Sequence, residues 1–178
     1  EILLETSRSP AVDGSPAQMV GDYFAAGMDE AAISESDIAP LGALLEAIAS
    51  TDTIDDVRDR MLELVPLGVG ALHGLGIAPD FEDADSYLVY VGQGGLGLPE
   101  RDYYLREDDR STALVESYVA HVARQLGHLG VGGDEEARAI FEFERRLADA
   151  SLPAEKLRDL QLTLNRHRVD DLDDLMPG

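Results

Sequence analysis

The chain has 178 residues, is 44% hydrophobic, and carries 14 basic against 36 acidic residues, a formal charge of −22. It is therefore long enough for one domain or a piece of a larger protein, with enough apolar content for a core. Such an acidic surface repels nucleic acid and anionic membrane surfaces. The absence of cysteine excludes disulfides, thiolate catalysis and cysteine-based zinc sites.

In chain order, residues 1–14 open with a short apolar run and become a Ser/Pro/Gly connector, lacking the basic-then-apolar pattern of a signal peptide. The start without Met and the end at "LMPG" read as a segment of a longer protein. Ser15-Pro16 is a helix start, a cap residue followed by proline at the first helical position. Met19, Val20, Tyr23, Phe24 and Met28 then recur at helical spacing. "DEAAISESDIAPLGALLEAIAS" predicts two further helical pieces, broken near Asp37–Pro40. Thr53-Ile54-Asp55-Asp56 opens another helix, with Val57, Met61, Leu62 and Val65 as its inner face. "LHGLGIAP" and "SYLVYV", on either side of "DFEDAD", predict a small β-hairpin over about residues 72–92. A helix follows over about 109–129, with Leu114, Tyr118, Val119, Val122 and Leu126 inward. "GVGG" breaks it, and Asp134-Glu135-Glu136 gives the next helix an acidic first turn, favourable against its dipole. That helix runs to about Ser151, with Ile140, Phe141, Phe143 and Leu147 apolar. After Pro153, residues 154–176 read as two shorter helices around "TLNRH". The expected fold class is mainly α, a multi-helix bundle-like domain over residues 15–178 with one small hairpin.

The glycine-rich stretch Gly92–Gly97 contains a literal Gly-x-Gly-x-x-Gly and follows a strand-like run. A dinucleotide site would need a helix directly after the turn and a second parallel strand beyond it. Leu98-Pro99 interrupts the helix entry, and a long amphipathic helix stands where that strand belongs. The stretch therefore reads as a bend in which four glycines let the backbone leave a strand. His121 and His128 lie seven apart, about 10 Å along one helix axis, too far to share a metal ion. His73 is expected to be half buried at the hairpin start, and His167 exposed. Glu142 and Glu144, two apart on a helix, do not face one another as paired acids. No His-Glu-x-x-His and no Gly-x-Ser-x-Gly occurs. No catalytic and no metal-ligating residue is expected in this chain.

Four stretches occur in a familiar order: "SPAQMVGDYFAAGMDEAAI", "LGVGALHGLGIAPDFEDADSYLVYVGQGGLGLPERDYYL", "YVAHVARQLGHLG" and "IFEFERRLADASLPAEKLRDLQLTLNR". Over about residues 10–178 they resemble the N-terminal, largely helical region of the neprilysin-like zinc metallopeptidases (the neprilysin and endothelin-converting-enzyme family), in a bacterial version. The most specific part is "GQGGLGLPERDYYL". The resemblance implies a lid that, in the full enzyme, closes over a zinc-bearing catalytic domain and encloses peptide substrates. It places the zinc ligands and the general base outside this chain, so the expected partners are the parent's catalytic domain and its peptide substrates, with no cofactor in the segment itself. Nucleic-acid and membrane contacts are not expected of this segment, and the compartment stays open between cytoplasmic and secreted. Gly94, Gly95, Gly97, Pro99, Arg101, Asp102, Tyr103 and Tyr104 then form a structural motif. In it, the Arg101 and Asp102 side chains tie the bend to neighbouring helices, and both tyrosine rings pack inward with bonded hydroxyls. The alternative from another class is a stand-alone acidic helical protein-interaction module.

Overall fold

A computed structural model describes residues 2–175. The chain divides into two compact units, Glu1–Val57 and Arg58–Gly178.

The first unit is helical. α1 (Ile2–Arg8) forms from the apolar run that the sequence marks only as the start of a connector. α2 (Pro16–Gly27) begins as its signals predict: the Ser15 hydroxyl accepts from the Gln18 N–H, and the Gln18 side chain accepts in return from the Gly14 N–H. Gly21 is buried where α2 meets α1, and a Cβ there would stand 3.1 Å from the Thr6 carbonyl oxygen. α3 (Glu30–Ser36) is capped by the Asp29 carboxylate, which accepts from the Ala32 N–H. It ends at Asp37, whose φ of 46° reverses the chain into a short 3-10 turn, Ala39–Leu41, before α4 (Gly42–Ala49). α5 (Ile54–Leu64) starts from a reciprocal cap: Asp56 accepts from the Thr53 N–H, and the Thr53 hydroxyl accepts from the Asp56 N–H. The boundary between the units falls within α5.

The stripe expected to point inward from α5 is only partly covered: Met61 is half-buried, whereas Val57, Leu62 and, in the 3-10 turn Val65–Leu67 just beyond, Val65 are exposed. The elements that follow belong to the second unit. The hairpin forms as predicted: β1 (His73–Pro79) pairs antiparallel with β2 (Tyr87–Gln93), with Leu75 opposite Val91 and Ile77 opposite Val89. At its tip, Asp80 is buried. Its carboxylate accepts from the Glu82 N–H and from the Arg166 guanidinium, which arrives from far along the chain.

The core lies under α6 (Asp102–Leu105), α7 (Asp109–Leu129) and α8 (Asp134–Ala150). Tyr104, Val119, Ala137, Phe141 and Ala148 are buried, with Leu96, Leu98, Val115 and Val122 among the residues packed on them. The small Ala137 and Ala148 let other side chains approach α8 closely. Gly130 adopts a left-handed conformation after α7, and the Val131 N–H reaches back to the Leu126 carbonyl, closing a Schellman turn. Two inward assignments shift. Leu114 is exposed and Val115 takes its place on the core; Phe143 is exposed, with the Arg146 guanidinium 5.6 Å from its ring centroid. Beyond Pro153 the helices are shorter than predicted: 3-10 turns at Lys156–Arg158 and Val169–Asp171 flank α9 (Leu160–Thr163) and precede α10 (Leu172–Leu175). Residues 176–178, into which the expected domain runs, lie outside the described residues.

Candidate functional site

The segment Gln93–Leu105 leaves β2, bends through the glycines and enters α6. Only Gly95 among those glycines has a left-handed backbone, φ 79°. Gly94 and Gly97 are required for space instead: a Cβ on Gly94 would lie 3.0 Å from the His73 carbonyl carbon, and one on Gly97 would lie 2.0 Å from the Tyr118 hydroxyl. Gly92 has open space around it. The expectation of four glycines used for unusual backbone conformation is thus corrected: Gly95 is needed for its conformation and, like Gly94 and Gly97, for close approach, since a Cβ on it would lie 2.8 Å from the Ala71 carbonyl oxygen.

Beneath the bend lies a polar knot. The Tyr104 hydroxyl accepts from the Leu98 N–H at 2.8 Å and donates to the Glu144 carboxylate at 2.8 Å. The Tyr118 hydroxyl donates to the same carboxylate, 2.8 Å from Oε2 and 3.0 Å from Oε1. Tyr104 also stacks on Phe141, centroids 5.6 Å apart, and meets Tyr118 edge-on. Burial, reinforced by the Glu144 carboxylate and opposed by the Leu98 N–H, pushes the Tyr104 hydroxyl up to about 12. Burial and Glu144 raise Tyr118 as well. Both hydroxyls therefore stay protonated donors at neutral pH, and Glu144 serves as their common acceptor.

A second set of bonds grips the chain just after α8. The Gln93 side-chain amide donates to the Leu152 carbonyl at 3.1 Å and accepts from the Leu152 N–H at 2.9 Å. Arg101 donates from Nη1 to the Ser151 carbonyl at 3.0 Å. Between these clamps lies a cleft of about 300 Å3, lined by Gln93, Gly95, Pro99, Arg101, Leu152 and Leu157 among others. The Arg101 Nε is buried there without a hydrogen-bond partner.

Of the eight motif residues, Gly94, Gly95, Gly97, Pro99, Arg101 and Tyr104 converge on this bend. Two roles need correction. Asp102 does not bridge to a neighbouring helix; it pairs with Arg106 one turn along, at 3.0 Å. Tyr103 does not pack inward; it is exposed and lines a surface groove with Arg106, Arg110 and Leu114. Helix geometry explains the second, because on a one-turn helix only one of two adjacent tyrosines can face the core. Gln93 and Glu144 carry the knot and clamp, and the sequence reading assigns neither to them. Glu144 has a legible signal: Ala137, Phe141, Glu144 and Ala148 follow one helical stripe, so a carboxylate stands on the buried face and needs donors.

The geometry does not suit phosphate or metal. The first helix after the glycines is the four-residue α6, and the strand before them belongs to an antiparallel hairpin. His121, His128 and His167 are exposed and His73 is half-buried. Among the described residues no group of three or more His, Asp or Glu side chains is placed to hold a metal ion. A zinc ion of the kind the resemblance implies therefore finds no fitting ligand set in these residues.

Comparison with known proteins agrees with the residues. The model of peptidase family M13, in its N-terminal part, matches residues 1–178. Human endothelin-converting enzyme 1 is 31% identical over 187 aligned residues, covering 99% of this chain and 24% of the enzyme. An endothelin-converting enzyme homologue of Locusta migratoria is 31% identical over 57% of the chain. The zinc metalloprotease Zmp1 of Mycobacterium tuberculosis superposes with a TM-score of 0.88 in complex with an inhibitor and 0.86 in its open state; each alignment has 30% identity and covers 97% of this chain and 27% of that one. The chain thus spans about a quarter of the length of these full-span relatives. With its family model matched end to end and its fold shared with a solved relative, the chain belongs to peptidase family M13, the neprilysin-like family that its glycine bend and Arg-Asp-Tyr-Tyr run resemble.

Proposed function

We propose that the chain is the N-terminal, substrate-enclosing part of a zinc-dependent metalloendopeptidase, and that it is inactive alone. The observation that carries the reading is the end-to-end family match, joined to the likeness with a zinc metalloprotease over nearly the whole chain. Peptides are the substrates of the parent enzyme, and the parent's catalytic part is this segment's partner. The zinc and the groups that polarise the attacking water belong to that other part. Residues 93–105 contribute shape: the Tyr104–Glu144–Tyr118 knot and the Gln93 and Arg101 clamps hold one wall of the segment rigid. Gly94, Gly95, Gly97, Pro99, Arg101 and Tyr104 are its structural anchors.

Two measurements test this. The 178-residue chain, supplied with zinc and a fluorogenic peptide mixture, should give no turnover above buffer. The genomic frame that carries it should encode His-Glu-x-x-His outside this segment; a frame without that helix would overturn the proposal.

A further inference from the structure

One face of the hairpin is built wrongly for water. Leu75, Ile77 and Pro79 of β1 stand opposite Val91, Val89 and Tyr87 of β2, and these six positions share a face by register and alternation. Five of the six are aliphatic and the sixth is the aromatic Tyr87; the same face runs on to the polar His73–Gln93 pair at its open end. Ile77 is 75% exposed, Tyr87 68%, Val89 67% and Val91 60%. The opposite face carries Gly74, Gly76 and Gly92, with Leu88 and Tyr90 half-buried. The large β-branched side chains thus stand on the solvent side, the reverse of a one-sided antiparallel sheet.

We infer that the Leu75/Ile77/Pro79–Tyr87/Val89/Val91 face is the docking surface for a segment of the remaining family M13 polypeptide. This rests on the proposed function in one respect, that the rest of a family-length chain exists. Three observations select that occupant over a second copy. The full-span relatives hold about three quarters of their length outside the matched region. Two copies at −22 each repel. The hairpin tip adds exposed Asp83 and Asp85 at one end of the face, while Glu82 is already paired with Arg166, so a self-paired dimer gains no complementary charge. The occupant is accordingly an apolar surface with basic residues near the hairpin tip.

The chain contains no cysteine, so a single thiol reports on this face. Val89→Cys is placed in the 178-residue chain and in the family-length polypeptide, and maleimide labelling at position 89 is followed by peptide mass spectrometry. Labelling in the longer polypeptide should be roughly tenfold slower or more, as expected for a site that opens only by local unfolding. Equal rates would overturn the inference. So would slowing of the isolated chain as its concentration rises, which would make a second copy the occupant. Ile77→Cys stands in if the first variant fails to fold. Peptidase activity of the longer polypeptide is read in the same sample. An active enzyme with a freely labelled thiol sinks the docking face alone; a protected thiol in an inactive polypeptide sinks the proposed activity alone.

Discussion

At the scale of single residues, Glu144 decides how the glycine bend is held. It accepts from two tyrosine hydroxyls, one of which also receives the Leu98 N–H. Removing it leaves both hydroxyls without their acceptor, and an unsatisfied buried polar group costs about 1–3 kcal/mol. Glu144→Ala should therefore destabilise the fold by about 2–4 kcal/mol in urea unfolding; a loss below about 0.5 kcal/mol would show the knot to be unimportant. Gly97→Ala attacks the same knot from the other side, because its Cβ would collide with the Tyr118 hydroxyl. The expected loss is about 1–3 kcal/mol, as for other overpacked sites, and Tyr118→Phe should relieve part of it. Wild-type stability of Gly97→Ala would refute the close approach. The tyrosines also set an alkaline limit. Their folded pKa values are raised, so their contribution is complete below the ordinary tyrosine value and is lost as pH rises through the folded value, about 12 for Tyr104. Spectrophotometric titration should show two of the six tyrosines ionising late, together with unfolding. A single uniform transition near 10 would contradict it.

At the scale of elements, the helix starts were readable because caps are local. Ser15, Asp29, Thr53 and Asp108 each accept from a backbone N–H two or three residues on, a geometry set by the residue type itself. Asp108 illustrates the consequence. The Ser111 hydroxyl and N–H hold its carboxyl below the usual carboxylate range. Its stabilisation is present above the ordinary carboxylate pKa and is lost as pH falls through the depressed value. Asp108→Ala should lower the thermal midpoint by roughly 2–4 °C at neutral pH, and the difference should shrink in acid. An undiminished difference at low pH would separate the effect from the carboxylate. Helix faces were less legible than helix starts. On α7 the spacing reads with Leu114 inward, and packing against the core cluster takes Val115 instead. On α5 the apolar stripe is real, but Leu62 remains largely exposed.

At the scale of the molecule, an acidic surface surrounds a small core. The −22 charge makes self-repulsion a standing cost of the compact state. Adding sodium chloride from low ionic strength to about 0.5 M should raise the thermal midpoint, since screening shortens the reach of those charges. A midpoint that falls with salt would mean attractive ion pairs outweigh the repulsion. No helix among the described residues is long and apolar enough to cross a membrane. Hydrophobic periodicity, caps and turn residues by themselves determined the mainly helical class and the hairpin, because each is written within a few neighbouring positions; the family was read from the resemblance of whole stretches such as "GQGGLGLPERDYYL". Which glycine is needed for its φ and which for its space was decided only by the tertiary structure. The same holds for Tyr104 lying inside while Tyr103 lies outside, for Glu144 joining two tyrosines, and for Gln93 and Arg101 meeting residues 151–152. Each depends on groups tens of residues apart, and no local pattern encodes which distant donor will meet which acceptor.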